Sequence, residues 1–392
     1  MANIHLTSAK RAKNDEFYTQ YSDIQKEIEA YLEYDPDTFR DKIVYSNCDD
    51  PFESNFFRYF ALNFNRLGLK QLITTSYKPS PIANTQLGLF GDGKTIKEPK
   101  GRPKVTANKF IINEVHDMND DGAFNLTDIA EQLKANKNNE WTPLKGDGDF
   151  RSPECIELLK QSDVVVTNPP FSLFREYVKQ LFDYDKKFVI IGNKNCVTYK
   201  EIFPLIRDNK MWSGRTGWAG GLWFETMNDD DVDKIVNGVK MKNVSSVWFT
   251  NLDHGKRHEK ISLMSLSDNL KYSRHKEIKG KSAYDRYDNY DAIEVPFTDS
   301  IPNDYSGIMG VPISFLDKYS PEQFEILGMC ENEDLYHMKT RKYTSAECKQ
   351  AYLDKFGKKG TYDLNASGVV VRNGLYEKVY QRVLIKHRKA AA

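Results

Sequence analysis

Apolar residues recur along the chain at two different spacings. In "DKIVYSNCDDP" a short apolar run, about residues 42–46, stops at a polar turn and predicts a strand. "SNFFRYFALNFNRLG" then places Phe56, Phe57, Phe60, Phe64 and Leu67 on one helical face, with Ser54 or Asn55 as cap and Gly68 as stop. "LKQLITTSY" reads as a second strand. Strand, helix, strand is the unit of a parallel sheet, whose ligands sit beyond the carboxyl ends of the strands.

Residues 79–108 are rich in Gly, Pro and Lys and predict a loop or hairpin, followed by a strand at "KFIINEV". Ser152 and Pro153 open a helix to about residue 160. A strand is expected at 163–167, then a helix capped by Ser172 with Leu173, Phe174, Tyr177, Val178, Leu181 and Phe182 on one face. "KKFVIIGN" and "VSSVWFTN" are further strands, so the alternation to about residue 251 describes one α/β domain. Beyond it the pattern changes. Residues 255–291 are polar, basic and rich in tyrosine, 305–328 read as loop with "PEQFEILG" near the end, and "GVVVRNGLYEKVYQRVLIKHR" predicts a hairpin turning at Asn373-Gly374. We place a boundary near residue 253, giving domains 1–253 and 254–392.

At 392 residues the chain has room for two or three domains. Hydrophobic residues make up 40% and their runs are far too short to span a membrane; "MANIHLTSAKRAKNDEF" is too polar for a signal peptide, so a cytoplasmic location is expected. The five cysteines are scattered without ligand spacing, which favours free thiols and no metal site. Lys plus Arg equal Asp plus Glu at 56 each, so polyanion binding requires segregated charge. Segregation exists: Lys256, Arg257, Lys260, Lys271, Arg274, Lys276, Lys279 and Lys281 face only Glu259, Asp268 and Glu277 in that stretch. A solvated surface is the plainer reading of such a run.

The chemistry concentrates in "DVVVTNPPFSLF". An exocyclic aromatic amine is a poor nucleophile because its lone pair is delocalised, and hydrogen-bond acceptors draw the nitrogen toward tetrahedral geometry. The side-chain oxygen of Asn168 and the carbonyl of Pro169 would accept the two N–H bonds and aim the lone pair at an electrophilic methyl. Pro169 and Pro170 fix the backbone and remove donors. Phe171 offers a ring on which a flipped base can stack. A bare strand-to-helix turn is the alternative.

Asn168, Pro169, Pro170 and Phe171 match the (D/N)PP(Y/F) motif of amino-methyltransferases. Together with "NDEFYTQYSDI", "VYSNCDDPFESNFFRYF", "GDGDFRSPECIELL", "SVWFTNLDHGKRHE" and "GVPISFLDKYSPEQFEILG", the chain resembles the EcoRI-type adenine-specific DNA methyltransferase family over most of its length. The resemblance implies a class I S-adenosylmethionine-dependent fold, a Rossmann-like seven-stranded sheet, with a C-terminal target-recognition region. It implies methyl transfer from S-adenosylmethionine to N6 of an adenine flipped from double-stranded DNA, and leaves open whether a cognate restriction endonuclease acts separately. Phe17, Tyr18 and Thr19 match the segment that contacts the methionine end of the cofactor, and Asp149-Phe150 the segment that contacts its adenine.

Two departures stand out. The glycine-rich turn usual after the first strand is replaced by Ser46-Asn47-Cys48-Asp49-Asp50-Pro51, where Asn47, Asp49 and Asp50 are candidates to hold the cofactor. The acid usual at the end of the second strand is absent; residues 74–77 offer hydroxyls only. Trp248 is the candidate second base-stacking aromatic, although alternation with Phe249 lets only one of the pair leave the core. Lys256, Arg257, Lys260, Lys271 and Arg274 are candidate DNA contacts. Other amine acceptors (RNA adenine, cytosine N4, protein glutamine), a nuclease built on Glu277 and Lys279, and a non-catalytic DNA-binding protein of the same fold are the competing readings.

Overall fold

In the computed structural model the run Val164–Thr167 is buried at all four positions and pairs in parallel with a neighbour on each side, as a strand apolar on both faces must. The structure describes residues 18–48, 54–77, 107–117, 128, 138–226 and 232–388. Two units are present, residues 1–202 with 211–255 and residues 203–210 with 256–392. Against the single boundary expected near residue 253, the division falls after Gly255, and 203–210 belongs to the second unit.

In chain order the first unit contains β1 (Tyr18–Thr19), α1 (Tyr21–Tyr34), β2 (Ile43–Ser46), α2 (Asn55–Leu62), α3 (Phe64–Leu67), β3 (Gln71–Thr75), β4 (Asn108–Ile112), β5 (Glu140–Pro143), α4 (Pro153–Gln161), β6 (Val164–Thr167), α5 (Phe174–Asp183) and β7 (Lys187–Asn193). After the excursion come β8 (Trp212–Ser213), β9 (Leu222–Glu225), β10 (Lys234–Val236), β11 (Val239–Val244) and β12 (Ser246–Thr250). Among the described residues the main sheet has eight strands, ordered β5-β4-β3-β2-β6-β7-β12-β8. β3, β2, β6 and β7 are parallel neighbours, while β4, β5 and β12 run antiparallel to the strands they join. A second sheet, β1-β9-β11-β10, completes the unit.

Local chemistry accounts for the helix ends. The Ser54 hydroxyl accepts from the N–H of Phe56 and Phe57, Ser152 caps α4 ahead of Pro153, and Gly68 closes α3 in the left-handed region. The single helix expected over this stretch breaks at Asn63 into α2 and α3. α2 buries Phe56, Phe57 and Phe60 against Val44, Val164, Val189 and Trp248. Of residues 79–108, expected as a loop or hairpin, 79–106 lie outside the described ones, and Asn108 opens β4. No helix among the described residues is long and apolar enough to cross a membrane.

The second unit contains α6 (Phe203–Arg207), α7 (Leu266–Tyr272), β13 (Ala292–Glu294), β14 (Ile308–Pro312), β15 (Phe324–Met329), α8 (Ser345–Phe356), β16 (Val369–Arg372), β17 (Leu375–Lys378) and β18 (Arg382–His387). A sheet ordered β13-β14-β18-β15 forms its centre. β16 and β17 make the hairpin expected at Asn373-Gly374, both turn residues having positive φ, while the third run of that segment, β18, pairs with β14 and β15. Within the sheet Glu294 and Arg382 form a buried ion pair at 2.6 Å, side chains 2% and 10% exposed, and the Tyr287 hydroxyl also donates to Glu294. Removing one member leaves the other charge buried without compensation. Glu294→Leu should cost about 3–5 kcal/mol in denaturant unfolding, and adding Arg382→Met should recover most of it; equal losses in the single and double variants would refute this account.

Candidate active site

The chain turns to opposite sides of β2 to place β3 and β6, so the carboxyl ends of β2 and β6 meet at a switch point, where open α/β sheets bind ligands. Side chains tie the two ends together. Ser46 Oγ donates to the Val166 carbonyl at 2.8 Å, and the Thr167 hydroxyl donates to the Asn47 carbonyl. Asn47 is itself buried, and its side-chain oxygen accepts from the Tyr177 hydroxyl of α5. This candidate cofactor contact is thus engaged inside the fold.

Asn168 follows directly and is half-buried, Pro169 is buried, and Pro170 has φ −55° and ψ 123°, the extended form its ring favours. The Leu173 N–H donates to the Pro170 carbonyl at 3.0 Å, closing a single 3₁₀ turn over Phe171–Leu173 before α5 begins. Ser172, expected to cap that helix, lies exposed inside this turn, and Leu173 takes the capping position without a side-chain bond. A capping residue needs extended backbone, and Ser172 is instead wound into the 3₁₀ turn, so its hydroxyl does not cap the N–H groups of α5. Phe171 is half-buried and packs against the cluster that holds Phe56, Phe224 and Trp248.

The candidate cofactor segments are tied to the chain just beyond the carboxyl ends of β2 and β3. The Thr19 carbonyl of β1 accepts from Asn55 Nδ2 at 2.8 Å, which joins β1 to the helix that follows β2. Gly148 has φ +81°, and a Cβ there would lie 1.9 Å from the Ser76 carbonyl, so the "GDGDF" segment reaches the end of β3 only because this residue is glycine. Asp149 pairs with Arg151 at 2.7 Å. Burial pushes its carboxyl up, but the Arg151 hydrogen bonds outweigh this and hold it below the usual carboxylate range. Phe150 is buried edge-on to Tyr177 at 5.0 Å, and its carbonyl accepts from Gln180. Thr19 Oγ1 and Thr74 Oγ1 are buried hydroxyls with no hydrogen-bond partner among the described residues. Phe17, Asp49 and Asp50 lie outside the described residues.

Trp248 requires a correction. Its indole is fully buried, 6.0 Å from Phe56 and edge-on, within the core of the unit. Both Trp248 and Phe249 are 0% exposed because β12 lies inside the sheet between β7 and β8, with both faces covered; neither is placed to stack on a base. Among the DNA-contact candidates, Lys256 pairs with Asp317 at 2.6 Å with 13% of its side chain exposed, and that buried pairing removes it from the surface. Arg257 donates to Asn209 at 3.3 Å, and Arg274 pairs with Asp299 while staying 79% exposed. Lys271 sits 4.8 Å over the Tyr272 ring, and Lys260 is exposed.

One anchoring residue escaped the sequence reading. Glu27 of α1 is fully buried and accepts from the backbone N–H of Arg215 and Thr216, both at 2.7 Å, and from Tyr31 Oη at 2.9 Å. A Cβ at Gly214 would lie 2.1 Å from Glu27 Oε1. The signal was present in the sequence: Glu27 shares the helical face of Ile24, Ile28 and Tyr31.

The family model of the adenine-specific methyltransferase EcoRI matches residues 5–388. The chain belongs to this family. It is an adenine-specific DNA methyltransferase, the activity that the motifs implied. It is 44% identical to the Type II methyltransferase M.EcoRI of Escherichia coli over 336 residues, covering 84% of this chain and 90% of the relative. It is 34% identical to the Type II methyltransferase M.MpnI of Mycoplasma pneumoniae, over 84% of this chain and 86% of the relative. A third Type II methyltransferase, M.MgeORF184P of Mycoplasma genitalium, is 31% identical over 98% of this chain and 99% of its own. No solved structure matches.

Two outcomes follow from the "GDGDF" geometry. Gly148→Ala should lower stability by at least about 1–2 kcal/mol, the cost of a left-handed backbone alone, and thermal unfolding measures it. Because the folded pKa of Asp149 is depressed, its stabilising contribution is full above the unfolded value of about 3.9 and is lost as pH falls through the folded value. A carboxyl NMR titration should therefore place the Asp149 midpoint below about 3.9, and Arg151→Ala should move it upward; an unmoved midpoint would contradict the pairing.

Proposed function

We propose that this methyltransferase carries a methyl group from S-adenosylmethionine to the exocyclic N6 of an adenine turned out of duplex DNA, at the turn formed by Asn168, Pro169, Pro170 and Phe171. The observation that carries this reading is the position of Asn168: it is the residue after β6, at the switch point where β6 meets β2. The central run of strands, with β3 and β2 to one side of β6 and β7 to the other, supports a class I arrangement, here with an additional edge strand. The cofactor supplies an activated sulfonium methyl, so the protein needs neither a covalent nucleophile nor a metal to make the methyl reactive.

The chain's own task is to bind, orient and receive charge. Asn168 and the Pro169 carbonyl accept the two amine N–H bonds and offset the positive charge that grows on nitrogen as the methyl arrives. Phe171 stacks on the extruded ring, which helps offset the few kcal/mol lost when a base leaves the helix. The unpartnered hydroxyls of Thr19 and Thr74 fit polar groups of the cofactor, with Tyr18 beside the first and Asp147 or Asp149 at the adenine end. The second unit, with Lys260, Lys271 and Arg274 on its surface, serves target recognition. The Type II names of the relatives support a role in restriction-modification.

With radiolabelled S-adenosylmethionine and duplex DNA, Asn168→Ala should lower methyl transfer by at least about 10²–10³-fold, the range for losing one preorganised partner of developing charge, while circular dichroism and DNA binding stay as in wild type. Phe171→Ala should reduce the fluorescence change of 2-aminopurine placed at the target. Label transfer that survives Asn168→Ala would overturn the catalytic assignment.

A further inference from the structure

Helix α8 in the second unit has two faces of different character. Its inner face buries Cys348 and Ala351 in a cluster with Tyr343, Leu364 and Val369. Ion pairs fasten the flanks: Arg341 to Glu347 at 2.6 Å and to Asp288 at 2.7 Å, and Lys355 to Glu377 at 3.2 Å. Both ends are closed, by a capping box at Thr344 and Glu347 and by Gly357 in the left-handed region. The result is a 12-residue helix on a fixed base, about 18 Å long at 1.5 Å per residue.

The outer face is built from other residues. At 100° per residue Ala346, Lys349, Gln350 and Leu353 fall opposite Cys348 and Ala351, and all four are exposed, Leu353 at 42%. Phe356, 47% exposed, borders them. Lys342 ahead of the helix and Lys358 and Lys359 behind it are exposed as well, and neither they nor Lys349 make an ion pair or hydrogen bond among the described residues. The acid bordering this face, Asp354, accepts from Gln350 Nε2 at 2.6 Å, which orients the amide and leaves its oxygen and second N–H available.

We propose that α8 is the element that reads the target sequence. It lies in the major groove of duplex DNA, with Ala346, Lys349, Gln350 and Leu353 toward base edges and Lys342, Lys358 and Lys359 on the phosphates. This rests on the DNA-methylating reading above and deepens it. The major groove, about 12 Å wide, admits one helix. The four outward side chains have matching chemistry: lysine donates to guanine O6 and N7, glutamine bridges adenine N6 and N7, and small or aliphatic groups meet the thymine methyl. Apolar Leu353 and Phe356 gain nothing from facing water, whereas thymine methyl groups in the groove offer them apolar contact. The four uncommitted lysines supply charge complementarity that the ion-paired Lys256 cannot.

The test uses the full-length protein. Methylation of a randomised duplex library, read by modification-sensitive sequencing, should show that Lys349→Ala and Gln350→Ala each relax preference at one base pair by roughly tenfold or more. Lys358→Ala with Lys359→Ala should leave the preferred sequence intact and reduce the slope of log binding against log salt by about two. A charge-matched control, Lys160→Ala with Lys179→Ala on α4 and α5, should leave that slope unchanged. If wild type methylates duplex DNA but the Lys349 and Gln350 variants keep its preference, or if the slope survives loss of Lys358 and Lys359, this inference fails alone. If wild type methylates no duplex at all, the reading beneath it fails too.

Discussion

The parallel pairing of β2 with β6, stitched at its carboxyl end by Ser46 and Thr167, is the constraint on which the first unit depends. Two hydroxyls on neighbouring strands each reach a carbonyl on the other, so neither strand can shift register without losing a buried hydrogen bond. With that register held, the next residue after Thr167 has one place to go. Asn168 leaves the sheet at the switch point, and two prolines allow the chain there almost no freedom. Asn47, directly across, is drawn inward to Tyr177 and so couples the turn to α5. The same clasp that stabilises the sheet therefore aims the catalytic candidate.

Much of this was legible in the amino-acid pattern. Continuous apolar runs within Val164–Thr167 and Lys187–Asn193 read as buried strands of a parallel sheet, and the caps at Ser54 and Ser152 stand where hydroxyls precede apolar faces. The central segment carrying Asn168 was placed correctly because strand, turn and helix signals agreed there. Other features depend on partners distant in sequence. That β4 would run antiparallel, or that β1 would pair with β9 across some two hundred residues, is invisible to local periodicity. Ser172 misled for a related reason: capping preference does not tell a 3₁₀ turn from the α-helix that follows it. Trp248 misled because alternation assumes one solvated face, and β12 has none.

Charge counts alone do not tell which basic residues face outward. The basic run from 255 to 281 drew notice because it is dense, yet Lys256 and Arg274 are paired with acids far away in sequence, Asp317 and Asp299. Residues 339–359 contain a comparable run whose members divide between anchoring and exposure: Arg341 and Lys355 fasten the helix while Lys349, Lys358 and Lys359 are exposed. Only tertiary structure separates lysines that hold the protein together from lysines that face a polyanion, because ion pairing links positions no local window contains.

Glu27 grips its loop through main-chain N–H groups rather than through the side chains of Arg215 and Thr216. A socket of that kind is indifferent to which side chains the gripped residues carry. The path of this loop is thereby uncoupled from its chemical lettering, so substitutions at positions 215 and 216 can rewrite what the loop presents to solvent without redrawing its course, whereas Gly214, pressed against the carboxylate itself, has no such latitude.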